Sequence, residues 1–157
     1  LGAVPIPINP TSIAFHPSGK FAYVSNLATN NVAAFSVDQA SGALTPIAPA
    51  VNSGDGPTSV TVDAQGRFAY VTNAIGATVS VFAIDPATGA LTRTSTVPAG
   101  TGAFALTLDA SGRFAYVANS GISNVMPFAI DSATGALTPA GSPVNAGAGT
   151  TSVTLIK

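Results

Sequence analysis

His16 is the single histidine of the chain, so any imidazole chemistry rests on it alone. A general base needs a carboxylate to orient it or a substrate within reach. The local context, "FHPSGK", offers neither. His16 takes the place that Asp63 and Asp109 hold in two similar stretches, immediately before a turn. A histidine can accept the same local hydrogen bond, so a turn role is expected for it. With no second histidine and no cysteine, a zinc site is not expected. Arg93 is the other candidate for ligand binding. It falls near a sheet rim where its counterparts are Pro46 and Pro139, and an exposed cation is expected there. Lys20, Arg67 and Arg113 share one position after a turn glycine and read as a row of solvating charges. The "GTGAF" stretch from Gly100 to Phe104 has no helix behind it, and so lacks the dipole of a phosphate loop.

The composition narrows the field further. Of 157 residues, 46% are hydrophobic and only 7% charged, with net charge −1. Nucleic-acid binding needs clustered cations, and none cluster here. The same shortage argues against a polybasic membrane contact. No apolar run reaches the roughly 18 residues that a membrane-spanning helix requires. All six acidic residues are aspartates, so no glutamate is available as acid or base. No cofactor or metal is expected. A surface of Ser, Thr, Asn and Gly points to a secreted, periplasmic or cell-surface location. The opening "LGAVPIPINP" has no charged leader, which suggests a processed or partial chain.

The residues that must position these groups are written three times. "GKFAYVSN" from Gly19, "GRFAYVTN" from Gly66 and "GRFAYVAN" from Gly112 repeat one octet. The register holds at Tyr23, Tyr70 and Tyr116, at Asn26, Asn73 and Asn119, and at Gly42, Gly89 and Gly135. Residues present in every unit are expected to stabilise the unit: turn bonds for the asparagines, packing between units for the tyrosines. The repeats run over about 11–54, 58–100 and 104–147, with terminal strands at 1–10 and 148–157, in one domain spanning 1–157. Each unit holds four apolar stretches with strand periodicity. Turns ending in glycine join them as hairpins, with a leading Asp placed to bond turn amides. The fourth stretch is broken by Pro46, Pro49, Pro98, Pro139 or Pro143, which makes it the outer edge of a sheet. Met126 and Pro127 interrupt the third stretch of the last unit, where a local packing variation or bulge is expected.

Both faces of the third strand are apolar: Val79, Val81 and Ala83 on one side, Phe82 and Ile84 on the other. A sheet with one wet face would alternate apolar and polar residues. These sheets are therefore predicted to be covered on both sides by their own copies. The predicted fold is all-β, a β-propeller segment of three four-stranded antiparallel blades plus terminal strands. A closed β-trefoil of three units fits less well. "LGAVPIPIN" resembles a fourth strand and "TTSVTLIK" a first strand, and a sealed threefold body has no place for both.

The tetrapeptide Tyr70–Asn73, with its "YVSN" and "YVAN" variants, resembles the YVTN repeat of bacterial propellers. "VFAIDPATGALT" is similar to the lactonase-type seven-bladed propellers, the 6-phosphogluconolactonase-like proteins. The resemblance implies seven blades, of which this chain would supply a C-terminal half. It also implies a catalytic histidine at the start of an inner strand, where this chain has Thr11 and Ser12, Thr58 and Ser59, or Phe104 and Ala105. No catalytic residue carries over. The expectation is a non-catalytic scaffold or binding module of unknown ligand, partnered by a second copy or by the missing half of the propeller. A lactone hydrolase with catalytic residues outside this chain is the alternative, and a self-assembling extracellular structural protein a third reading.

Overall fold

The computed structural model describes residues 9–152. The first strand expected at 1–10 lies mostly outside them, as does the strand-like end of "TTSVTLIK". Among the described residues fourteen strands, with no helix, form three antiparallel sheets. Blade 1 holds β1 (Pro10–Phe15), β2 (Phe21–Asn26), β3 (Asn31–Val37), β4 (Leu44–Pro46) and β5 (Val51–Asn52). Blade 2 holds β6 (Pro57–Val62), β7 (Phe68–Asn73), β8 (Thr78–Ile84) and β9 (Leu91–Pro98). Blade 3 holds β10 (Ala103–Leu108), β11 (Phe114–Asn119), β12 (Asn124–Ile130), β13 (Leu137–Pro139) and β14 (Val144–Asn145).

Each sheet is a meander, and the proline-broken strand is its outer edge. In blades 1 and 3 that edge comes in two pieces, β4 with β5 and β13 with β14, all pairing with the third strand. In blade 2 it is continuous but bulged at the same level, between Val81 and Phe82. This break accommodates Pro127. The β11–β12 register runs unbroken through Met126 and Pro127, so the bulge expected there is absent on that side. Ile130 donates to Arg113 of the inner neighbour, and amides alternate along a strand. The Pro127 nitrogen therefore faces the interrupted outer edge, where no ladder bond is lost.

The first strands of the three blades stand side by side at the hub, β6 between β1 and β10. Each bonds its own second strand with one bulge, at Thr11, Thr58 and Phe104. The bulge turns the threonine hydroxyl sideways. Thr11 Oγ1 reaches the Pro57 carbonyl at 3.0 Å, and Thr58 Oγ1 reaches the Phe104 carbonyl at 2.8 Å. Neighbouring inner strands are thus tied without a continuous sheet.

The core lies between blades. Phe21, Tyr23 and Val32 of blade 1 pack on Val60, Val71 and Phe82 of blade 2. Tyr70, Val79 and Val81 of blade 2 pack in turn on Leu106, Val117 and Phe128 of blade 3. The two-sided apolar pattern follows directly, because a middle blade has a neighbour on each face. Burial of this apolar area is the main stabilising term, at roughly 25 cal/mol per Å².

Candidate functional site

The repeated aromatic pair of the second strand meets the repeated hairpin of the next blade. The Tyr23 hydroxyl donates to the Gly89 carbonyl at 3.1 Å, and Tyr70 donates to Gly135 at 3.2 Å. Beside each bond, Phe21 lies against Gly89 and Phe68 against Gly135, so closely that a Cβ would fall 2.5 and 2.6 Å from the ring. The hairpin turns at its glycine, with φ of 72°, 73° and 72° at Gly42, Gly89 and Gly135. Burial holds the phenols of Tyr23 and Tyr70 well above the ordinary tyrosine range; for Tyr70 the nearby Asp63 charge adds to this and Arg67 opposes it. These hydroxyls are structural donors, not acids.

The asparagines that end the second strands are fully buried. Each amide donates across its own turn: Asn26 to Asn31 Oδ1 at 3.0 Å, Asn73 to Thr78 Oγ1 at 3.1 Å, Asn119 to Asn124 Oδ1 at 2.9 Å.

His16 opens the β1–β2 turn and is half-buried. Its Nδ1 accepts the Ser18 amide at 3.1 Å and lies 2.8 Å from Ser18 Oγ. That fixes the proton on Nε2, which donates to the Gly66 carbonyl of blade 2 at 2.9 Å. Both ring nitrogens are engaged, so the geometry makes His16 a turn cap that also bridges two blades. The bridge was not legible in the sequence, because Gly66 lies 50 residues away. Arg93, on exposed β9, donates from Nη1 to Asn52 Oδ1 of blade 1 at 3.2 Å. The two candidates are not brought together: His16, in the β1–β2 turn, reaches the β6–β7 turn, and Arg93, on β9, reaches β5.

Thr11 and Thr58, at the start of the inner strands, spend their hydroxyls on the neighbouring strand. Among the described residues no group of three His, Cys, Asp or Glu gathers. No described helix is long and apolar enough to cross a membrane.

A cleft of about 500 Å³ opens between blades 2 and 3, with Arg67 and Arg113 at its mouth and Phe68, Tyr70, Leu108 and Ile130 inside. It was missed in sequence because its two sides come from turns and strands of different blades.

Three stacked four-stranded meanders with their first strands at a common hub define a β-propeller segment. A model of the lactonase, seven-bladed β-propeller family matches residues 7–107, and the chain belongs to that family. Similar solved structures include the Pseudomonas aeruginosa periplasmic gluconolactonase PpgL, 28% identical with a TM-score of 0.78 over 88% of this chain and 40% of that one. A candidate 6-phosphogluconolactonase from Bacteroides fragilis is 25% identical, with a TM-score of 0.82 over 87% of this chain and 39% of that one. A Lactobacillus plantarum protein is also 25% identical, with a TM-score of 0.83 over 90% of this chain and 43% of that one. The chain thus spans about two fifths of the length of these structures. No match was found among curated protein sequences.

Proposed function

We propose that this chain supplies three adjacent blades of a seven-bladed lactone hydrolase. The catalytic groups come from blades outside the chain. The supporting observation is the family match together with the likeness to a gluconolactonase above a quarter identity. Three blades of seven is also close to the two-fifths share of the related chains that it covers. The hub strands described here contribute hydroxyls and carbonyls but no titratable side chain at Thr11, Ser12, Thr58, Ser59, Phe104 or Ala105. Their part is to fix the ring and its central opening. The periplasmic location of the Pseudomonas aeruginosa relative supports a site outside the cytoplasm.

The far face of blade 3 supports a further blade as its neighbour. Val32, Val79 and Val81 are 0% exposed, whereas Val125 and Pro127 at the matching positions are half-buried. Tyr116 is likewise half-buried, where Tyr23 and Tyr70 are at most 1% exposed. A contiguous apolar face left open marks an interaction surface.

The scaffold reading keeps one specific support, the lack of any glutamate or second histidine. Hydrolysis of glucono-lactones by the ring-complete protein, followed by acid release, separates the two. Turnover above the spontaneous rate is expected. A ring-complete protein with no turnover on sugar lactones leaves the scaffold reading standing instead.

A further inference from the structure

The two blade junctions of this chain differ at the residue that opens the turn between first and second strands, and the difference opens a cavity. At the junction of blades 1 and 2, the His16 ring lies over the β6–β7 turn; a Cβ on Gly66 would stand 2.1 Å from its Nε2. At the junction of blades 2 and 3 the equivalent residue is Asp63. Its shorter side chain curls back on its own turn and accepts the amides of Arg67 and Phe68 at 2.6 and 2.8 Å. Nothing then covers Gly112, the counterpart of Gly66, which has no atom within 4 Å of its Cβ direction. The space that the histidine fills in one junction is the mouth of the cleft of about 500 Å³ in the other.

The lining of that cleft is divided. Its floor is apolar: half-buried Leu108 and Ile130, backed by the buried Phe68 and Tyr70 rings. Its mouth carries two guanidinium groups from opposite blades. Arg67 is partly neutralised by Asp63 at 3.9 Å, the one ion pair among the described residues. Arg113 has no such partner. Asp109, the carboxylate nearest in sequence, accepts the amides of Arg113 and Phe114 on Oδ1 and the Ser111 hydroxyl on Oδ2. Among the lining residues two guanidinium groups face one carboxylate, that of Asp63, while the Asp109 carboxylate sits behind the β10–β11 turn. The volume is that of a small-molecule site.

We propose that this inter-blade cleft binds small organic anions with a flat apolar body, of the arylcarboxylate class. The body lies on Leu108 and Ile130, and the carboxylate meets Arg113 and Arg67. Guanidinium suits a carboxylate because its planar fork matches the two oxygens. The site stands apart from the hub and does not depend on the hydrolase reading.

Titration of the chain with 2-naphthoate, with inorganic phosphate as a separate probe, tests the proposal by calorimetry and by ligand-detected NMR. Saturable naphthoate binding is expected, with phosphate much weaker. Arg113→Gln, an exposed change that leaves the core untouched, is expected to weaken naphthoate about tenfold, the cost of one charge-assisted contact. Asp63→His, which copies the closed junction of His16, is expected to abolish it. Failure of naphthoate to bind, phosphate binding as tightly as naphthoate, or undiminished binding in both variants would each overturn the assignment.

Discussion

The Tyr70 hydroxyl donates to the Gly135 carbonyl across 65 residues of sequence, at 3.2 Å, inside the interface of blades 2 and 3. The bond is a unit of the repeat: the second strand of one blade finds the last hairpin of the next. Removing the hydroxyl leaves a buried carbonyl without its donor, which costs about 1–2 kcal/mol. Tyr70→Phe is therefore expected to lower stability by that amount in urea denaturation. In the isolated chain Tyr116→Phe is expected to change it little, since Tyr116 is half-buried.

The glycines of the same hairpins separate two effects that usually come together. Gly42 and Gly89 have φ of 72° and 73°, so an alanine suffers the same backbone strain at either. At Gly89 the new Cβ also meets Phe21 at 2.5 Å, while at Gly42 it meets no described atom within 4 Å. Gly89→Ala is expected to cost about 2–4 kcal/mol and Gly42→Ala about 1 kcal/mol. Chemical denaturation of the pair measures the difference, which isolates packing between blades from turn geometry.

Asp38, Asp85 and Asp131 each hold the turn between third and fourth strands. Hydroxyl bonds from Ser41 and Thr134 lead in lowering the carboxyls of Asp38 and Asp131, and the Thr88 amide leads for Asp85. All three sit below the ordinary carboxylate range. As pH falls, the unfolded chain takes up protons first. The contribution is present above about pH 4 and is lost as pH drops through the lower folded values. Thermal melting from about pH 5 downward is expected to show a falling Tm. Asp85→Asn is expected to show a shallower fall, because one of the three linked groups is gone.

Ala77 occupies the left-handed region at φ 52°, in the turn between β7 and β8. Asn30 and Ser123 hold the same position in the other blades, at 52° and 53°. Alanine has no side-chain bond to offset that strain. Ala77→Gly is expected to raise stability by about 1 kcal/mol, read from the denaturation midpoint.

Much of this architecture was legible because it is local and repeated. The alternation in "VSVFAI", the glycine closing "DPATG" and the prolines of the fourth stretch each impose a backbone geometry without help from the rest of the chain. The middle-blade position explains the two apolar faces, and the sequence showed those faces. The bulges at Thr11, Thr58 and Phe104 were not legible, since they arise where inner strands crowd at the hub. Pro127 misled for a similar reason: it breaks the strand pattern, yet its nitrogen faces an edge already interrupted. His16 was read correctly within its turn but not across the junction, because its second partner comes from another repeat. The cleft beside Asp63 was invisible for the same reason, as no single repeat contains it.

The central claim is that the sheets stack around a shared hub and that the far face of blade 3 awaits a blade of the same kind. The environment of Tyr116 in the crystal structure of the complete native particle tests it most directly. The account predicts that the Tyr116 hydroxyl donates to the glycine carbonyl of a hairpin from a blade outside this segment, as Tyr23 does to Gly89. A particle in which Tyr116, Val125 and Pro127 face solvent would contradict it.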